Sequence, residues 1–217
     1  MESLVDLRSA GPSRQAALVA AAGACQACQA CPLYRRATRA VWGEGPAGAA
    51  VMLVGEQPGD VEDRQGRPFV GPAGLLLREL MDEVGLGPDV YLTNAVKHFS
   101  FEDRGKRRLH KTPRSSEVQA CKPWLFQEIA IVRPRLLVAL GATATTALFG
   151  RAAQVVRDRG RLLEDRPGRF SGFSPAALVT FHPSAALRAP TAERRSELKK
   201  MLRADLALAA RVTGGQS

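Results

Sequence analysis

Residues 55–74 read Gly-Glu-Gln-Pro-Gly-Asp-Val-Glu-Asp-Arg-Gln-Gly-Arg-Pro-Phe-Val-Gly-Pro-Ala-Gly. Five glycines and three prolines among these twenty residues shape the backbone tightly. Glu56 and Asp60 supply carboxylates, Gln57 an amide, and Phe69 a flat ring able to stack on a planar ligand. Further along, Asn94 offers an amide donor and acceptor side by side, suited to the edge of a heterocycle. His182, in Phe-His-Pro-Ser, adds an imidazole that could help read a flat heterocycle. His110 lies in the basic run Lys106-Arg107-Arg108-Leu109-His110-Lys111, whose cations suit a phosphate contact.

The cysteines point to different chemistry. Cys25, Cys28 and Cys31 fall at two consecutive C-x-x-C intervals, and Cys121 stands alone far downstream. Such spacing lets two thiolates face one metal or cluster from a single turn. A disulfide or a redox dithiol is the competing reading. Three cysteines in one short run need not all be ligands, so a fourth ligand is sought elsewhere, and His98 offers itself.

Short apolar runs at 49–56, 90–97, 135–140 and 177–181 read as strands. Helical patterns lie between and around them, at 13–24, 75–84, 116–132, 142–149 and 191–212. The third of these helices is capped by Ser115 or Ser116 and stops before Pro134. A small hairpin is expected over 155–163, around Asp158–Gly160. Apolar strands separated by helices imply a parallel sheet covered on both faces. The fold class is a three-layer α/β/α sandwich with a four-stranded parallel central sheet, in one domain over 1–217 whose ends, 1–12 and 213–217, are flexible. Glu56, Asn94 and His182 all fall at or just beyond predicted strand ends, where open α/β sheets place ligands. Residues 98–114 read as a basic loop. Six cations (Arg104, Lys106, Arg107, Arg108, Lys111, Arg114) meet two acids (Glu102, Asp103), an excess of four.

The net charge of +10 suggests a polyanionic partner, nucleic acid before membrane. No apolar run has the ~18–20 residues of a membrane span. The N-terminus lacks a basic segment followed by an apolar core, which implies a reducing, intracellular (cytoplasmic) setting without disulfides.

Four segments carry a resemblance. Gly-Glu-Gln-Pro-Gly, Arg-Pro-Phe-Val-Gly-Pro-Ala-Gly, Thr-Asn-Ala-Val-Lys and Phe-His-Pro-Ser resemble, in order, the motifs of the uracil-DNA glycosylase superfamily, specifically its family 4, which carries a 4Fe–4S cluster. The similarity spans about residues 28–210. It implies DNA binding, base flipping and cleavage of the N-glycosidic bond of deoxyuridine. Phe69 would stack on the flipped uracil, Asn94 would bind its pairing edge, and His182 would lie at O2. Ser184, Leu187 and Arg188 would wedge into DNA and hold phosphates. Cys28, Cys31 and Cys121 match three cluster ligands. The family's fourth cysteine is replaced by His98, and imidazole can ligate iron. The alternative has Cys25 as ligand and His98 as an ordinary surface residue.

Lys106–His110 resembles the Lys-Arg-Arg-Ile-His loop of the subgroup called UdgX, which becomes covalently attached to uracil-containing DNA; Leu109 replaces Ile. The subgroup also has Gln at the position of Gln57. The resemblance implies that His110 attacks the sugar after uracil leaves, with Glu56 orienting or deprotonating it. Gln57 and Asp60 would support substrate geometry, and Lys106, Arg107, Arg108 and Lys111 would hold phosphates. Uracil-containing DNA, preferably single-stranded, is the expected partner of a monomer. Two rivals stand beside this reading. One is a conventional multiple-turnover glycosylase, in which His110 only contacts DNA. The other is a non-catalytic iron–sulfur DNA-binding module.

Overall fold

The computed structural model describes residues 13–87, 89–150, 153–163, 170 and 172–214. The ends expected to be flexible therefore lie almost wholly outside the described residues. Helix α1 (Arg14–Gln26) begins at Ser13, whose hydroxyl accepts the Ala16 N–H at 3.2 Å. Strand β1 (Val51–Gly55) leads through the short helix α2 (Asp60–Gln65) into α3 (Pro72–Glu83), then to β2 (Val90–Asn94). The hairpin β3 (Phe101–Arg104) and β4 (Arg107–His110) precedes α4 (Ser115–Val132), β5 (Leu136–Leu140) and α5 (Ala142–Phe149). One turn of helix, α6 (Val155–Asp158), leads to β6 (Leu162–Leu163) and β7 (Ala176–Thr180). The chain closes with α7 (Pro183–Leu187) and α8 (Ala192–Gly214).

The central sheet has the order β2-β1-β5-β7-β6. Its first four strands pair in parallel, as the apolar runs predict, and β6 adds a two-residue antiparallel edge. The chain leaves β1 toward β2 on one side and continues from β5 to β7 on the other. The carboxyl ends of β1 and β5 thus flank the point where strand order reverses, which is where such sheets open a crevice.

Alternation along the strands divides the core. Met52, Val54, Tyr91, Leu137 and Val179 face α1, α4 and α5 through Leu18, Leu125, Ile129 and Leu148. Val51, Leu53, Leu92, Val138 and Leu178 face α3, α7 and α8 through Leu76, Leu80, Ala186, Leu202 and Leu206. Both faces of the sheet are dry, so its strands read as unbroken apolar runs.

Four expectations change. The basic loop is an ordered hairpin, with Gly105 at positive φ opening the two-residue turn between paired Arg104 and Arg107. The glycine-rich stretch contains α2. Residues 155–163 are a helical turn plus an edge strand, because β6 pairs with β7 and not with its own neighbours. Helix α4 is capped by Glu117, which accepts the Arg114 N–H at 2.7 Å, and not by Ser115 or Ser116.

Candidate active site

A cavity of about 530 Å³ opens at the carboxyl edge of the sheet. Glu56 and Phe69 enter it from the segment after β1, Asn94 from the end of β2, Gly141 after β5 and His182 after β7. Gly55 makes the floor possible: a Cβ there would lie 2.4 Å from Asn94 Oδ1 and 2.6 Å from the Phe69 ring. Phe69 holds a left-handed backbone at φ 55°. Gly74 permits this turn, since a Cβ at that position would sit 2.1 Å from the Phe69 carbonyl carbon. Arg78 Nε donates to Phe69 O at 3.2 Å and pins the same turn.

Asn94 is buried, and its side-chain amide has no hydrogen-bond partner among the described residues. Its backbone is fixed from behind by the buried Lys97, whose ammonium donates to Asn94 O at 2.8 Å, Thr93 Oγ1 at 2.7 Å and Glu128 Oε2 at 2.5 Å. All three ammonium protons are thereby used. The pairing edge of Asn94 is left for a ligand.

His182 caps α7. Its Nδ1 accepts the Ser184 N–H at 3.2 Å and lies 2.8 Å from Ser184 Oγ. An accepting Nδ1 places the proton of the neutral ring on Nε2, the nitrogen free of the cap. Burial pushes the imidazole down to about 4, with Arg188 and His110 adding repulsion and Glu56 opposing. The ring is therefore a neutral donor near pH 7. It lies 6.3 Å from the Phe69 ring at 28° between planes.

On the far wall, His110 Nε2 lies 3.1 Å from Glu56 Oε1. The other carboxylate oxygen of Glu56 accepts the Thr143 hydroxyl. Burial alone would raise the Glu56 carboxyl. The hydrogen bonds from His110 and Thr143 outweigh it, with electrostatic help from the nearby histidines, and hold the group below its ordinary value. The cavity thus combines a stacking ring, a free amide, a neutral imidazole donor, and a carboxylate–imidazole pair.

Residues 42–207 match the family described as the uracil DNA glycosylase superfamily. The chain belongs to that superfamily. A type-4 uracil-DNA glycosylase of Pyrobaculum aerophilum is 42% identical over 176 residues, covering 79% of this chain and 84% of its own. The type-4 uracil-DNA glycosylase of Thermotoga maritima is 37% identical over 177 residues, covering 81% and 83%. That of Archaeoglobus fulgidus is 33% identical over 177 residues, covering 78% and 83%.

Within this superfamily member the β3–β4 hairpin delivers His110. Cross-strand pairs put Phe101 with His110 and Asp103 with Arg108 on one face, and Glu102 with Leu109 and Arg104 with Arg107 on the other. The first face turns inward over α2. Arg108 departs from the expected phosphate contact for this reason. Its side chain is 15% exposed; Nη1 meets the fully buried Asp63 at 2.7 Å and Nε meets Asp60 at 2.5 Å. Its guanidinium also lies 4.9 Å from the Phe101 ring centre. Lys106, Arg107 and Lys111 are exposed and have no ion-pair partner among the described residues, as a phosphate contact requires.

Gln57 lines the cavity and is held by the hairpin backbone. It is buried; its amide donates to Ser100 O at 3.0 Å and Lys111 O at 3.1 Å, and accepts the Ser100 N–H at 2.8 Å. One side chain thereby clamps both ends of the hairpin. Asp60 lines the cavity mouth, with both oxygens engaged by Arg64 and Arg108. Ser184 and Arg188 line the cavity, and Leu187 is an exposed apolar side chain on α7 beside them. Three residues went unnoticed in the sequence. Glu62 ties Gly59 N–H (3.1 Å) to Gly71 N–H (2.8 Å), Asp63 anchors the hairpin, and Thr143 holds Glu56. Glu62 three residues after Gly59 is a capping pattern that the sequence does display.

None of the four cysteines lines the cavity. All four are free thiols. Lys97 N–H donates to Cys121 Sγ at 3.1 Å, and Trp124 Nε1–H to Cys28 Sγ at 3.1 Å. Burial pushes the Cys25 thiol up to about 12 and Cys121 up to about 11, Lys97 opposing and the neighbouring cysteines adding to the rise. His98 is buried, not a surface residue. Burial lowers its imidazole, with Asp63 opposing. Among the described residues no three Cys, His, Asp or Glu side chains converge as the ligands of a single metal ion. A four-iron cluster asks for something else, one ligand at each iron and N–H donors to the sulfurs. Free thiols with two N–H donors aimed at them suit that demand. Among the described residues no helix is long and apolar enough to cross a membrane.

Proposed function

We propose that this protein takes uracil out of DNA, cleaves its N-glycosidic bond, and is then joined through His110 to C1′ of the sugar left behind. The observation that carries this is the His110–Glu56 contact of 3.1 Å in the same cavity as Phe69, Asn94 and His182. The family and the type-4 relatives support uracil in DNA as substrate.

Flipping costs a few kcal/mol and least in an unpaired strand, which favours single-stranded DNA as partner. The flipped base stacks on Phe69, and the free amide of Asn94 meets its pairing edge. As the C1′–N1 bond breaks, its electron pair leaves with uracil. The Nε2–H of neutral His182 stabilises the charge that collects on the base. The sugar becomes an oxocarbenium-like cation, and the carboxylate of Glu56 lies beside it. An imidazole lone pair of His110 then forms the N–C1′ bond. The ring loses its remaining N–H proton, uracil gains one, and the adduct is neutral. An alkylated imidazole is a poor leaving group unless reprotonated, so the link persists and each molecule turns over once.

Lys106, Arg107, Lys111 and Arg188 would hold phosphates around this centre, and Leu187 would fill the space the base vacates. Cys28, Cys31, Cys121 and His98 would hold a 4Fe–4S cluster, which when bound supplies a cross-link between the segment after α1, the loop after β2 and α4. His98 follows directly on Lys97, whose amide already meets Cys121.

The test replaces the nucleophile. His110→Ser is expected to give no denaturant-stable adduct while still releasing uracil. An adduct that persists in this variant rules out His110 as the attacking group. A second reading, conventional multiple turnover with water as nucleophile, has its support in the relatives, which are described as type-4 glycosylases, and in an excision apparatus (Phe69, Asn94, His182) that does not need His110. Many uracils released per wild-type molecule, without adduct, would establish it.

A further inference from the structure

Among the described residues the Glu56 carboxylate makes two polar side-chain contacts, one to the hairpin through His110 and one to α5 through Thr143. Thr143 lies in the first turn of α5, immediately after Gly141 and Ala142 of the cavity wall. An ionised carboxylate only accepts, so the Thr143 hydroxyl is the donor. With that oxygen held, only the other faces His110. The Glu56 backbone is also fixed, its carbonyl accepting the Val96 N–H at 3.0 Å.

We propose that Thr143 is a positioning residue for the reaction. By donating to the outer oxygen of Glu56, it fixes the orientation in which the inner oxygen meets His110 and the sugar cation. This rests on the function proposed above and adds a residue to it. Thr143 touches neither base nor sugar in this scheme and acts wholly through Glu56. Without the hydroxyl, the carboxylate rotates and takes up water at the freed oxygen. Small displacements of a reacting group of this kind cost up to about 100-fold in rate. The lost hydrogen bond also removes a contact that favours the ionised form, so the Glu56 carboxyl rises.

Thr143→Val preserves shape and removes the donor, and Thr143→Ser restores it. With saturating single-stranded uracil oligonucleotide in excess over full-length protein, the Val variant is expected to form adduct about 10–100-fold more slowly. Its half-saturating DNA concentration stays within about twofold, its melting temperature stays close to wild type, and the acid limb of its pH–rate profile moves to higher pH. The Ser variant should recover most of the rate and the original limb. A Val variant that reacts at the wild-type rate with an unmoved limb overturns the proposal. So does a Ser variant as slow as Val, since packing and not the hydroxyl would then matter. Neither uracil release nor adduct from the wild-type protein would instead overturn the function on which the proposal rests.

Discussion

Arg107 and Arg108 are neighbours in one basic run, yet the hairpin assigns them opposite tasks, and their alanine variants should separate cleanly. Arg108→Ala removes a guanidinium that is 15% exposed and paired with an Asp63 that is wholly buried. Breaking a buried pair by deleting one partner costs about 3–5 kcal/mol. Asp63 keeps the Thr38 N–H at 2.9 Å and the Thr38 hydroxyl at 2.6 Å, so it is not left bare. A net loss of roughly 2–3 kcal/mol is expected, and for a chain of this length that lowers the melting temperature by about 5–10 °C. Arg107 is exposed and has no ion-pair partner among the described residues. Arg107→Ala should change stability by less than about 0.5 kcal/mol. It should instead flatten the salt dependence of single-strand binding by about 0.7 in log K against log salt. Scanning calorimetry and fluorescence titration of a labelled oligonucleotide at several salt concentrations read the two quantities. Arg108→Ala with unchanged melting and a flattened slope, beside a destabilised Arg107→Ala, would refute the hairpin register. His110 would then face away from Glu56 as well, because a one-residue slip turns every side chain over.

Gln57→Ala should slow adduct formation far more than uracil release, since it frees both ends of the hairpin while leaving Phe69, Asn94 and His182 in place; equal slowing of both, read by gel and base release, would contradict the clamp. In His110→Ser, uracil release should stay level as pH falls and decline only toward about 4, where His182 becomes charged. A limb near 6.5 would mean that His182 titrates as an ordinary histidine. Cys121→Ser should lower both iron per chain and melting temperature; full iron content would remove Cys121 from the ligand set.

The sheet was legible because its strands are buried on both faces and advertise themselves as apolar runs such as Val51–Val54 and Leu136–Leu140. The cavity was legible because Glu56, Asn94 and His182 stand at or just beyond strand ends, and topology does the rest. The hairpin was not legible. Its inward face carries Arg108 and His110, and what makes that face inward is Asp63 on α2, a partner 45 residues away. Charge in the sequence suggested solvent, and a buried counter-charge decided otherwise. The partners of Gln57 were not legible for a related reason: the backbone groups of Ser100 and Lys111 that its amide holds lie 43 and 54 residues away along the chain. Thr143 is one of three threonines in α5 and has no local signature, since its meaning depends on Glu56 meeting it across the sheet edge.

The most direct test of the His110–C1′ bond is the intact mass of the wild-type protein after incubation with a short single-stranded oligonucleotide containing one uracil. Because the ring nitrogen exchanges its proton for the sugar and uracil leaves carrying one, the mass should rise by that of the oligonucleotide minus uracil. The modification should map to the tryptic peptide Leu109–Lys111 and be absent with a thymine control. An unmodified protein mass beside a free abasic oligonucleotide would contradict covalent trapping and leave a conventional glycosylase.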